Sequence, residues 1–209
     1  ARLAGVPREV LQLLPGSGPV VGATLTGDPR VAGVCFTGST ETARAINRAM
    51  AAQLDPAAPL IAETGGLNAM VVDSNALPEQ AVKDSITSAF RSAGQRCSAL
   101  RLLFVQDEVA DRMIEMICGA ARELRLGDPS DPATHIGPVI DREAKQRLDA
   151  HIARMTHEAR VHFAGKTPAS GNFVAPPIFE LTDAGQLTDE VFGPILHIMR
   201  YPADSRGAA

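Results

Sequence analysis

The feature that most constrains this chain is a repeated exchange between short apolar runs and longer stretches of helical rhythm. Val31-Ala32-Gly33-Val34-Cys35-Phe36, Ala69-Met70-Val71-Val72-Asp73, Arg101 to Val105 and Ile195 to Met199 are brief runs bounded by turn formers. Continuous apolar runs of this length read as strands buried in a sheet. Between and beside them, three sets of positions keep the spacing of one helix face: Ala43, Ile46, Asn47 and Met50; Ala81, Val82, Ser85, Ile86, Ala89, Phe90 and Ala93; Val109, Met113, Met116, Ile117 and Ala120. The alternation predicts an α/β fold built on a mostly parallel sheet.

The same reasoning places a helix from Pro7 to Leu14, with Val10, Leu11 and Leu14 on one side, halted at Pro15-Gly16-Ser17-Gly18-Pro19. A short helix follows from Pro19 to Thr26. A third opens at Leu77-Pro78-Glu79 and ends where Gly94 precedes a cysteine. Val109 to Leu124 and Asp141 to Met155, the latter with Ala144, Leu148 and Ile152 inward, are also predicted helical, and Arg160 to Phe163 a strand.

Composition excludes several classes of function. With 209 residues and 45% hydrophobic content the chain can bury a sizeable core. A net charge of -4 with both signs interspersed provides no basic stripe, so nucleic-acid contact by this segment is not expected, nor is attraction to an anionic membrane surface. No apolar run reaches bilayer length. Cys35, Cys97 and Cys118 are odd in number and irregularly spaced, which argues against a disulfide framework and for a reducing compartment, by default the cytoplasm. The methionines at helical spacing, and Cys35 and Cys118, read as core packing. His135, His151, His157, His162 and His197 show no ligand spacing, so no metal is expected.

Four local constellations remain. Ser92-Ala93-Gly94-Gln95-Arg96-Cys97-Ser98-Ala99 sets a thiol between small residues at a helix end, and a thiolate there could act as a nucleophile. A small buried hydrophobe is the other reading of Cys97. Thr37-Gly38-Ser39-Thr40-Glu41-Thr42 joins a strand to a helix whose free N-terminal amides suit a phosphate, although Ser39 also fits as a plain helix cap. Pro59-Leu60-Ile61-Ala62-Glu63-Thr64-Gly65-Gly66 ends a strand on a carboxylate, the position of a general base or of a solvated loop glutamate. Thr188-Asp189-Glu190-Val191-Phe192-Gly193-Pro194 places an acid and an aromatic at a turn leading into a strand.

Taken together and in this order, the four resemble the aldehyde dehydrogenase superfamily. Phe36 to Glu41 looks like its pyrophosphate turn, Glu63 to Gly66 its general-base segment, Gly94 to Cys97 its nucleophile segment, and Glu190 to Pro194 its ribose and nicotinamide segment. Gly127-Asp128-Pro129 and Gly137-Pro138-Val139-Ile140-Asp141 are similar as well. The wording of Ala62 to Asp73 and of Ser88 to Ala99 is closest to the Δ1-pyrroline-5-carboxylate dehydrogenase branch, in bacteria often the C-terminal enzyme of a bifunctional proline-utilisation chain.

The resemblance implies a partial Rossmann-type cofactor half over residues 1–62 and a mostly parallel α/β catalytic domain over 63–209, truncated at its C-terminal end. It implies NAD as cofactor, contacted by Gly18, Thr37, Gly38, Ser39, Gly65, Glu190 and Phe192. Cys97 is then the nucleophile, Glu63 the base, and Ser98 a contact to the carboxylate of a small aldehyde, glutamate γ-semialdehyde. A homo-oligomeric full-length enzyme is implied too.

The family's oxyanion asparagine and its ribose-contacting lysine precede Ala1 in the usual order, and its substrate loop and dimerisation strand follow Tyr201. The expectation is therefore an internal piece of a longer polypeptide, with little turnover of its own. Two other classes stay open at this level: a non-catalytic assembly module, in which Cys97 is no more reactive than Cys118, and a cysteine acyltransferase or hydrolase working without NAD.

Overall fold

The computed structural model describes residues 2–203, and the chain divides into two compact units, Ala1–Gly65 and Gly66–Ala209. In the first, a π-helical turn at Gly18–Gly22 continues into the short helix α1 (Ala23–Thr26). Strand β1 (Val34–Gly38), helix α2 (Thr40–Gln53) and strand β2 (Leu60–Thr64) then form a βαβ unit, its two strands parallel. Ala43 and Met50, seven residues and so about two turns apart on its inward stripe, are the buried residues of α2.

The predicted helix at Pro7 to Leu14 is absent; a single turn closed by the Val10 amide on the Pro7 carbonyl stands there. The eight residues from Pro7 up to Pro15 are too few to offset helix nucleation without packing, and Val10, Leu11 and Leu14 are exposed. Cys35, predicted to be packed, is also exposed, because α2 covers only one face of the two-stranded sheet.

The second unit holds the larger core. Its sheet runs in the order β3 (Ala69–Val72), β4 (Leu102–Gln106), β7 (Leu196–Tyr201), β6 (Pro177–Glu180), β5 (Arg160–Ala164). All neighbouring pairs are parallel except β5 with β6. β4 and β7 are central, and their side chains are buried on both faces, as a sandwiched parallel sheet requires. Helix α4 (Asp107–Arg122) packs on β4, β7 and β5, and α5 (Arg142–Glu158) on β5 and β6. Helix α3 (Pro78–Phe90) packs on α4 through a face that includes Val82 and Ala89.

β6 escaped the sequence reading. It starts on Pro177 directly after a second proline, and a proline as first strand residue loses no ladder hydrogen bond but hides the strand signal.

Candidate active site

In the first unit the parallel register sets Thr37 opposite Glu63 and Gly38 opposite Thr64. The phosphate-type turn and the carboxylate thus meet at the carboxyl ends of neighbouring strands, where α/β sheets receive ligands. Ser39 caps α2, its Oγ accepting from the Thr42 amide at 3.1 Å. A 14-residue helix begins there with its unpaired amides at an exposed turn. Glu63 is exposed, and Gly65 half-buried. Gly18 opens the π-helical turn in full exposure, and a Cβ on it would meet nothing within 4 Å, so its backbone does not call for glycine.

The second unit builds the thiol loop from a sharp reversal. α3 ends at Phe90, four residues before the predicted end, and Ser92 (φ 58°), Ala93 (φ 54°) and Gly94 (φ 66°) follow in left-handed conformation. For Ser92 and Ala93 this conformation costs about 1–2 kcal/mol each. At Gly94 it leaves no room for a side chain: a Cβ would stand 2.1 Å from the Gly193 carbonyl oxygen and 2.9 Å from that of Ala89. Cys97 and Ser98 come next, both exposed. Cys118, by contrast, is buried in α4, and burial raises its thiol pKa.

Two side chains hold this loop. Asn68 Nδ2 donates to the Cys97 carbonyl at 2.6 Å and to the Ala99 carbonyl at 2.9 Å. Arg101, wholly buried, donates through Nη1 to the carbonyls of Gly94 (2.8 Å) and Gly193 (3.1 Å). Through Nη2 it donates to the Arg96 carbonyl (3.1 Å) and to Glu190 Oε1 (3.2 Å). Its guanidinium carbon lies 5.4 Å from the centroid of the Phe192 ring, which is 44% exposed. Desolvation lowers the Arg101 pKa and the pairing with Glu190 opposes that shift; the group stays a cation.

The loop that carries Cys97 and Ser98 and the turn that carries Glu190 and Phe192 are therefore joined within one unit by Arg101. Sequence reading missed that role for Arg101, taking it for the first residue of a strand. The available signal was a lone cation opening an apolar run, Arg101-Leu102-Leu103-Phe104-Val105, since a buried charge needs partners.

Beneath Arg101 lies a pair of histidines. The His197 amide and Nδ1 both donate to the Arg101 carbonyl, at 3.1 and 3.0 Å. With its proton on Nδ1, neutral His197 accepts at Nε2 from His151 Nε2, 2.9 Å away. Burial lowers both pKa values to about 4, with help from the neighbouring Arg154. Among the described residues no group of three or more His, Cys, Asp or Glu could hold a metal, and no helix is long and apolar enough to cross a membrane.

The model of the aldehyde dehydrogenase family matches residues 1–207. The bifunctional protein PutA of Escherichia coli (strain K12) is 54% identical over 209 residues, a match covering 95% of this chain and 16% of that protein. The 1-pyrroline-5-carboxylate dehydrogenase of Geobacillus kaustophilus is 36% identical over 200 residues, covering 92% of this chain and 39% of its own length. A crystal structure of a mutant of Bradyrhizobium japonicum proline utilization A superposes with a TM-score of 0.96 at 68% identity, over 99% of this chain and 21% of that one. The chain thus spans well under half the length of these relatives.

Proposed function

Because the chain belongs to the aldehyde dehydrogenase family, we propose that it carries the thiol and part of the cofactor grip of an enzyme that oxidises L-glutamate γ-semialdehyde to L-glutamate with NAD in proline catabolism. The observation that carries this reading is the convergence of the Cys97 loop and the Glu190 turn on one buried arginine. The likeness to PutA and to a 1-pyrroline-5-carboxylate dehydrogenase supports the substrate. Residues 1–62 would serve as the cofactor part and 63–209 as the catalytic part of a longer, cytoplasmic, homo-oligomeric enzyme.

Each unit, taken by itself, offers residues suited to one part of a dinucleotide. Thr37, Gly38 and Ser39 offer a helix N-terminus to a pyrophosphate, with Gly18 and Gly65 as further backbone contacts. Glu190 has Oε1 engaged by Arg101, while no described residue hydrogen-bonds Oε2, leaving it to accept from ribose hydroxyls. Phe192 presents an exposed ring for the nicotinamide. When bound, NAD supplies the two-electron acceptor for the oxidation.

Cys97 Sγ, as thiolate, forms a C–S bond to the aldehyde carbon, and the carbonyl oxygen takes the negative charge. Oxidation of that adduct leaves a thioester on Cys97. Glu63 takes a proton from water, the water oxygen adds to the thioester carbon, and the C–S bond breaks to release the carboxylic acid and restore the thiol. Ser98 hydrogen-bonds the substrate's own carboxylate.

The test uses the full-length protein that contains this chain, with NAD and the semialdehyde. Cys97→Ser is expected to reduce NADH formation at least 10³-fold while calorimetric NAD binding persists. Glu63→Gln is expected to keep a first-turnover burst and slow the steady state. Turnover retained in Cys97→Ser would overturn the reading.

A further inference from the structure

We propose that Arg101 is a positioning residue that ties the cofactor-contacting carboxylate to the thiol loop, so that the state of Glu190 governs the reactivity of Cys97. The inference rests on the reading of Cys97 as nucleophile and Glu190 as cofactor contact.

Arg101 does more than fill space. Its side chain is 0% exposed, and a buried cation needs partners to offset its desolvation. Those partners are three backbone carbonyls and one carboxylate from two loops distant in sequence, and they interleave the loops. Nη1 is shared between Gly94, three residues before the thiol, and Gly193, three residues after Glu190. Nη2 is shared between Arg96, adjacent to the thiol, and Glu190 itself. Each terminal nitrogen therefore bridges one loop to the other. The carbonyls of Gly94 and Arg96 fix the chain on both sides of Gln95, directly before Cys97.

Glu190 is the only described carboxylate in ion-pair contact with Arg101. Its side chain is 21% exposed and so open to a ligand's hydroxyls. Nε of Arg101 is buried with no hydrogen-bond partner, which leaves the guanidinium's seat dependent on its two terminal nitrogens. A change in charge or position at Glu190 reaches the Cys97 loop through one rigid planar group, without Glu190 touching Cys97. A lysine cannot replace this, since its ammonium lacks the fork that spans four acceptors.

The experiment measures, in the full-length protein, the rate of iodoacetamide alkylation of Cys97 relative to buried Cys118 without cofactor, together with kcat and KM for NAD. Arg101→Lys, Glu190→Gln and the double variant are compared after circular dichroism has checked their folding. Alkylation of Cys97 is expected to slow at least tenfold in Arg101→Lys and at least threefold in Glu190→Gln. The double variant is expected to be no slower than Arg101→Lys alone. In Arg101→Lys, kcat should fall and KM for NAD rise together.

Additive effects in the double variant, or an unchanged Cys97 rate in Glu190→Gln, would overturn the proposal. If Arg101→Lys fails to fold, Glu190→Gln decides alone. An unaltered protein that binds no NAD and alkylates Cys97 no faster than Cys118 overturns the functional reading and this inference with it. Normal behaviour there with unresponsive variants overturns the inference only.

Discussion

Gly94 and Gly193 meet backbone to backbone: a Cβ on Gly94 would lie 2.1 Å from the Gly193 carbonyl oxygen, and Gly94 itself sits at φ 66°. Both partners in the clash are main chain, so no side chain can turn aside. Gly94→Ala is expected to lower stability by about 3–5 kcal/mol, the range of exceptional single substitutions. Denaturant unfolding of the purified protein would measure it; a loss under 1 kcal/mol would contradict the contact.

Asn68 tethers the Cys97 loop through two carbonyls. Asn68→Ala leaves both without that donor and should reduce stability by about 1–3 kcal/mol. It should also broaden the distribution of loop conformations, read as faster amide hydrogen exchange at Ser98 and Ala99. Protection unchanged at those amides would remove Asn68 from the account.

Ser39 can act as a cap without binding anything. Ser39→Ala is expected to destabilise by about 1 kcal/mol and Ser39→Gly by a few tenths, because glycine tolerates the cap backbone but supplies no acceptor. If Ser39 also contacts a pyrophosphate, both variants weaken NAD binding equally despite their unequal stabilities. Calorimetry beside thermal unfolding separates the two roles.

His197 gives a pH dependence of known sign. Its pKa is about 4 in the fold and about 6.5 unfolded, so between these values the unfolded chain binds a proton that the folded chain refuses. Its contribution is fully present above about pH 6.5 and declines as pH falls toward 4. Between pH 7 and 5 the loss from His197 alone is about 2 kcal/mol. Unfolding at several pH values measures the slope, and the His197 ring resonance should not titrate above pH 5.

The central sheet and its helices were legible because one rule governs them. Leu102 to Val105 form a continuous apolar run because β4 is buried on both faces, and Val82 and Ala89 keep helical spacing because α3 packs through one face. The four motifs were legible one by one for a similar reason: each is contiguous. What joins them is not. Arg101 bonds to Gly94 and Gly193, and no local pattern announces which distant carbonyls a buried cation will find. Pro7 to Leu14 shows the opposite failure, a helical spacing of Val10, Leu11 and Leu14 with no layer to pack on.

The ladder between β1 and β2 also sets the phase between the Ser39 turn and the Glu63 carboxylate. Five consecutive residue pairs lock Thr37 opposite Glu63 and Gly38 opposite Thr64. Side chains alternate faces with a period of two, so sliding β2 by one residue would invert the carboxylate while leaving the Ser39 turn where it is. The timing of turn and acid is thus stored in backbone hydrogen bonds rather than in either side chain. Single substitutions at Thr37 or Thr64 leave that phase intact, whereas inserting or deleting one residue within β2 reverses it.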